Sequence, residues 1–354
     1  MKAVISTRSY ARLRLRVFGS IQLILSSFRS YALQLLLIFI TNSFAMHISP
    51  LRLKFWLFAL IPLSTATSCW RDTICAGPNS TAFPGPWDSN IYAPSSRTVR
   101  PEAILSLPDG TRVSSYVNGS VLTSNGSTLV FDFGIEVGGI ITIRYVAQGS
   151  PGSIGLAFSE AKNWIGEKSD SSNGAFRGGD GAIYAASTPG NGTYIMPDDK
   201  LRGGFRYLTL FLTAQGPATV EVKDISLEIA FQPTWANLRA YQGYFDSNDV
   251  EINKIWYSGA YTLQTNAVPV KTGRQVPFMT QGWSNRGVLG PGDTIIVDGA
   301  KRDRAVWPGD MGIAVPSAFV STGDLESVKN ALQVMYDYQV CFNRFTKFAL
   351  ITRL

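Results

Sequence analysis

The sequence predicts an antiparallel β-sandwich followed by an α-helical domain, behind a basic leader. Three observations carry this. Residues 127–231 contain runs in which apolar residues alternate with polar ones, broken by Gly, Asn and Asp, which is the pattern of half-buried strands. From residue 248 the apolar spacing lengthens to three and four, as helices require. Residues 1–68 carry eight Lys or Arg and no acidic residue. The divisions are therefore 1–68 leader, 69–235 β domain, 236–339 an unfinished α domain, and 340–354 a tail without a helical stripe.

The leader holds two apolar runs, 31–40 (YALQLLLIFI) and 55–63 (FWLFALIPL). Each is shorter than the roughly 20 residues that span a bilayer. The second run follows Met46, Arg52 and Lys54 and is followed by Ser64, Ala66 and Ser68, the layout of a secretory signal. Export is expected to start at Met46, with cleavage near Ala66 to Ser68 and residues 1–45 an over-long reading of the gene. A signal anchor on the first run is the alternative. The expected product is extracellular, with no membrane attachment after cleavage and an oligomeric state left open. Sequons at Asn79, Asn118, Asn125 and Asn191 agree with export. So do Cys69 and Cys75, close enough to form a small disulfide loop, with Cys341 the odd one out.

Charge and composition exclude several function classes. The formal charge is +7, but taking the leader's eight cations from the 32 Lys and Arg leaves 24 against 25 Asp and Glu, a net of −1. A nucleic-acid partner loses its main support. The only His, His47, lies in the leader, which excludes Ser-His-Asp and Cys-His catalysis and His-ligated metals downstream. No GxGxxG or GxxxxGKS/T phosphate loop occurs. Any chemistry must come from carboxylates.

After a Pro/Ser/Asn-rich segment at 76–100, strands are expected at 127–134, 140–147, 154–158, 205–212 and 219–231. Ile141, Ile143 and Tyr145 share one face, as do Ile225, Leu227, Ile229 and Phe231. The glycine-rich interval 173–192 is expected to be a long surface loop. Asn248 with Glu251 resembles a capping box, opening a helix whose stripe is Ile252, Ile255, Trp256 and Leu263. A second helix is expected from Asp324, with Leu325, Val328, Leu332 and Met335 inward. Two helices cannot bury their faces alone, so another chain completes them or the reading frame is broken. Residues 340–354 read as translated intron.

Residues 298–310, DGAKRDRAVWPGD, pack three carboxylates, three cations and a Trp into a chain only 16% charged. A solvated, salt-bridged turn is one reading. A glycosidase site is the other, since such sites pair carboxyl groups for acid and base work and add an aromatic face for the ring. The pattern D-x4-D/E-R-x2-W-x-G-D is similar to the acidic motif of α-L-rhamnosidases of glycoside hydrolase family 78. FDFGIEVGG (131–139) and GFRYLTL (204–210) resemble that family's β-domain signatures, and residues 245–263 resemble its first barrel helix. The resemblance runs over about residues 90–339 in the expected order.

It implies a jelly-roll-like domain followed by the start of an (α/α)6 barrel, and inverting hydrolysis of terminal rhamnosyl linkages on a rhamnose-containing oligosaccharide or glycoside. Asp303 would be the general acid, Asp298 and Asp310 would hold sugar hydroxyls, and Trp307 would pack on the substrate. Arg302 and Arg304 complete the candidate substrate-binding set. An inward guanidinium would lower the pKa of Asp303, and the neighbouring carboxylates would raise it. Asp303 stands where the family usually has Glu. The family's general base, a Glu on a later helix, has no counterpart here, so the chain is expected to be inactive by itself; Glu326 reads as a first-turn helix residue.

A non-catalytic carbohydrate-binding sandwich using Tyr116, Trp164, Tyr184 or Tyr194 is the alternative, and a product that never folds stably is a third. No cofactor is expected. Asp132 and Glu136 offer oxygen ligands for calcium, without a recognisable loop spacing.

Overall fold

The computed structural model describes residues 69–107, 110–172, 179–274 and 283–339, all within one unit spanning Ala66–Leu354. The leader with Met46, and the tail with Cys341, lie outside the described residues. Ten strands form one mostly antiparallel, curled sheet: β1 Thr98–Val99, β2 Ala103–Leu105, β3 Arg112–Ser115, β4 Ser120–Leu122, β5 Thr128–Gly149, β6 Gly152–Ser159, β7 Ile183–Ser187, β8 Gly190–Ile195, β9 Arg202–Ala214 and β10 Ala218–Ile229.

The 22-residue strand β5 organises the sheet. Its first part, 128–132, pairs with β9 on one side, and 130–132 pair with β2 on the other. Its second part lies between β10, paired over 139–149, and β8, paired over 142–147. The change of partners falls within FDFGIEVGG, where the register with β9 shifts between Asp132 and Val137 and again before Gly139. Glycine is needed there by close approach: a Cβ on Gly138 would lie 2.0 Å from the Gly203 carbonyl oxygen. The expected strands 127–134 and 140–147 are thus one bent strand. The expected inward faces are buried, with Ile141, Ile143, Ile225, Leu227 and Ile229 in the main core beside Phe131, Phe205 and Leu210. Each such side chain contributes about 1.5–3 kcal/mol by leaving water.

The interval 173–192 differs from the expected loop. Its described part contains β7 and the start of β8, which pair with β6 and β5 and so carry the chain between edges of the sheet. Gly190, at φ +115°, makes the turn between them, and its many glycines masked two short strands.

The link from sheet to helices is held by two arginines. Arg97 donates from Nη1 to the carbonyls of Ile229 and Phe231 and from Nη2 to those of Gln232 and Trp235. Burial lowers its pKa to about 10, which leaves it charged at neutral pH. Arg239 donates to the carbonyls of Ile91, Ala93 and Asp88.

Three helices follow: α1 Val250–Thr265, α2 Pro308–Val320 and α3 Glu326–Asp337. Asp249, not Asn248, caps α1, its Oδ1 accepting from the N–H groups of Glu251 (2.9 Å) and Ile252 (3.2 Å). A charged cap also complements the helix dipole. The buried face of α1 is Asn253, Tyr257, Ala260, Tyr261 and Gln264. Of the expected stripe, Ile252 and Ile255 face outward, 48% and 71% exposed, whereas Trp256 and Leu263 are half-buried and Trp256 packs against the main core. Polar tips decide the rotation: Tyr261 Oη donates to the Glu136 carbonyl (2.7 Å), and Gln264 bonds Tyr241 Oη and the Leu238 carbonyl. Helix α2 is unexpected, because Pro316 lies inside it and its apolar residues mark no clear face.

Asp324 caps α3 through the N–H groups of Glu326 and Ser327. Of its expected stripe, Val328 is buried, while Leu325 and Leu332 are exposed. A second core joins α2 and α3 to β14 (Thr294–Ile296), which pairs with β11 (Ala267–Pro269). A smaller ladder, β12 (Gly273–Arg274) with β13 (Asn285–Gly287), lies beside it. Among the described residues, no helix is long and apolar enough to cross a membrane.

Candidate active site

The acidic segment is the loop between β14 and α2. Its ends are zipped together: Asp298 N donates to the Ala305 carbonyl (3.0 Å), and Ala305 N donates back to Asp298 Oδ1 (2.9 Å). Arg304 pins the inside of the loop. It is 1% exposed and donates to the Thr272 carbonyl, Thr272 Oγ1 and the Ala300 carbonyl. Burial lowers its pKa to about 9, opposed by the charge of Asp298. The residue expected to touch substrate is therefore turned into the protein.

Its neighbour stands at the apex. Asp303 and Arg304 both adopt left-handed backbone, φ +58° and +49°, which costs roughly 1–3 kcal/mol at each non-glycine position. Inward bonding of Arg304, together with an outer bond from Asp303 N to the Ser172 carbonyl (3.4 Å), holds this geometry. The carboxylate of Asp303 is half-buried, and the largely exposed Arg302 approaches it to 4.0 Å.

Asp298 sits deeper. Burial raises its pKa to about 7; the charges of Asp303 and Asp310 push the same way, and the N–H groups of Ala305 and Gly299 push back. The three carboxylates are thus coupled in one electrostatic cluster. Asp310 lies in the first turn of α2 and Trp307 occupies its N-cap position, so the amino end of that helix faces the cluster. Trp307 is half-buried, and its buried Nε1 has no hydrogen-bond partner among the described residues.

The sheet supplies the other wall. A Cβ on Gly203 would fall 1.6 Å from the Ala300 carbonyl oxygen, and one on Gly204 would meet Glu136 Oε1 at 2.4 Å and Lys301 Cβ at 3.4 Å. The three segments FDFGIEVGG, GFRYLTL and DGAKRDRAVWPGD therefore meet at one place. Lys301 bridges Glu160 (2.9 Å) and Asp170 (3.1 Å). Buried Arg202 pairs with Asp170 and Asp180 and lies over the Trp283 ring at 4.6 Å. Asp180 accepts from Ser172 N, and Ser172 Oγ accepts from Arg274 (2.8 Å). This chain of bonds runs from the sheet to the carbonyl that holds Asp303.

Ser172, Thr272 and Arg274 carry no signal in the sequence, because their roles depend on chain reversals. Glu136 was readable only as an oxygen donor. The residue is exposed overall, while the atoms crowded around its carboxyl desolvate it and raise its pKa to about 7, aided by Glu160 and Asp170 and opposed by Lys301.

Other candidate residues fall elsewhere. Asp132 accepts from Arg206 through both oxygens (2.7 and 2.9 Å) and from Gly134 N. Burial raises its pKa, but these bonds outweigh burial and leave it below the usual carboxylate range. Its oxygens are thus engaged, and among the described residues no cluster of His, Cys, Asp or Glu is arranged to hold a metal. Glu326 begins α3 and contacts Thr234 rather than the loop. Cys69 and Cys75 are joined by a disulfide. Asn79, Asn118, Asn125 and Asn191 are all exposed. Trp164 and Tyr184 are exposed; Tyr116 and Tyr194 pack against the core.

No protein-family model and no curated protein matches the chain. Matches among solved structures include a rhamnosidase from Klebsiella oxytoca with rhamnose bound, at 16% identity and a TM-score of 0.47, over 70% of this chain and 45% of that one. The family 78 rhamnosidase of Bacillus sp. GL1 matches at 22% identity and TM-score 0.40, over 58% and 17%. The α-L-rhamnosidase from Dictyoglumus thermophilum matches at 17% identity and TM-score 0.41, over 67% and 24%. The chain spans less than half the length of each.

Proposed function

We propose that this chain carries the front part of a secreted, inverting, α-L-rhamnosidase-like glycoside hydrolase, its sheet jelly-roll-like and its helices the opening of an (α/α)6 barrel. The observation that supports this best is the loop itself: three coupled carboxylates and a Trp at a helix start, with Asp303 presented on strained backbone. In this reading Asp303 protonates the glycosidic oxygen, while Asp298 and Asp310 bind sugar hydroxyls and Trp307 meets the ring. With its pKa raised to about 7 by burial, Asp298 holds a proton more readily than an ordinary carboxyl and so can donate as well as accept. Arg304 is a positioning residue and Arg302 the cation nearest the solvent side.

Inversion needs a second carboxylate roughly 6.5–9.5 Å from the acid, with water between. The family resemblance assigns it to a later helix, so hydrolysis belongs to a longer protein and this chain alone should bind without turnover. Titrating L-rhamnose into the chain while following tryptophan fluorescence tests the site. Saturable quenching is expected, weakened about tenfold in Asp310→Asn by loss of a charged hydrogen bond. No saturation, or binding by both Asp298→Asn and Asp310→Asn as tight as by the unsubstituted chain, would remove the sugar from this loop.

A further inference from the structure

Away from the acidic loop, a groove of about 680 Å³ opens at the end of the sheet. It lies between the turn joining β4 to β5, the end of β5, and the turn joining β9 to β10, and its lining includes Ser124, Asn125, Gln148, Gln215 and Thr219. The groove has the size of a small-ligand site, but amides and hydroxyls prevail among these residues, without an aromatic or a charge. Its shape depends on close backbone approach: Gly149 is at φ +83°, and a Cβ there would lie 2.2 Å from the Pro217 carbonyl oxygen.

Asn125 is a sequon residue as well as a wall. Its Oδ1 accepts from Ala214 N at 3.0 Å, and only the oxygen of the amide can accept, so the orientation is fixed. The turn around it is ordered by Gly126 N donating to the Leu212 carbonyl (2.8 Å) and by Ser127 Oγ donating to the Ser124 carbonyl (2.7 Å). Asn125 is exposed at the open rim of this groove, and its Nδ2, the atom to which a glycan is joined, has no protein partner among the described residues.

We propose that the groove at the end of the sheet holds the first sugars of an N-linked glycan carried by Asn125 itself. The attachment forms a bond from Nδ2 to the anomeric carbon of a polyisoprenyl-diphosphate oligosaccharide; Nδ2 loses a proton and the lipid diphosphate leaves. The hydroxyls and acetamide of the glycan core then pair with Gln148 and Gln215. This rests on the export reading of the leader.

The test is a time course of peptide-N-glycosidase on the full chain secreted from eukaryotic cells, with each sequon followed by peptide mass spectrometry. Release from Asn125 in the folded protein should be about tenfold slower than from Asn118 and Asn191, and equal to them after denaturation. Gln148→Ala with Gln215→Ala should speed release at Asn125 alone. Equal rates in the folded protein, or an unmodified Asn125 beside modified neighbours, would overturn the groove proposal and leave export standing. A secreted chain bare at every sequon would overturn this proposal alone, whereas a bare chain retained inside the cell would overturn both.

Discussion

The proton on Asp298 links the candidate site to stability. Its folded pKa, about 7, lies well above the ordinary value near 3.9, so folding favours the protonated form. That contribution is fully present below about pH 4 and is lost as pH rises through 7. Glu136 has the same sign. Thermal melts should therefore show stability falling from pH 4 to pH 8, and Asp298→Asn should remove about 2 kcal/mol of that fall after allowance for solvent screening. An unchanged slope would mean that the carboxyl is better hydrated than its surroundings indicate.

Asp303 makes the opposite trade, since its backbone is strained for an L residue. Asp303→Gly should stabilise the fold by about 1 kcal/mol in urea melts while abolishing any acid role. A loss of stability would show that the side chain, not the backbone, holds the loop. The acidic spacing made Asp298, Asp303, Trp307 and Asp310 visible in the sequence. The direction of Arg304 was not, because it is set by Thr272, 32 residues away.

At the scale of elements, the reliable signal was period two. Every expected strand lies within or overlaps an observed one, since alternation needs only a pleat with one side against a core. Helix faces were less legible. Apolar spacing turned α1 toward Ile252 and Ile255, whereas hydrogen bonds donated by Tyr261 and Gln264 to distant backbone, and one that Gln264 accepts from Tyr241, turned it the other way. Period alone cannot weigh a polar tip against a methyl.

The contact of β9 with the acidic loop is the most sensitive junction. Gly203→Ala would drive a methyl into the Ala300 carbonyl and should cost at least about 3 kcal/mol, with loss of sugar binding. Gly166→Ala, where nothing lies within 4 Å, should be near neutral. Equal melting of the two variants would mean that strand and loop part easily.

Across the whole molecule, apolar surface is left on the helices: Ile252 and Ile255 on α1, Ile313 and Phe319 on α2, and Tyr336 on α3 are exposed. Surface of this kind binds apolar dyes and promotes self-association. Sedimentation should show concentration-dependent association that Ile255→Glu with Ile313→Glu reduces. A monomer at every concentration, with no dye bound, would show the side chains to be too scattered to act together. The order of sheet then helices was readable because the apolar period changes near residue 248. The joint between them was not, because Arg97 acts on carbonyls more than 130 residues away.

That joint has a consequence for inheritance. One guanidinium, encoded ahead of the first sheet strand, donates to four carbonyls, one at the end of the last strand and three encoded after it. A recombination that copied the sheet alone, with its crossover just past Ile229, would leave a buried cation with one of its four acceptors. The smallest piece that can move intact between genes therefore includes the segment to Trp235, and crossovers inside 230–235 should be selected against wherever this sheet is shuffled.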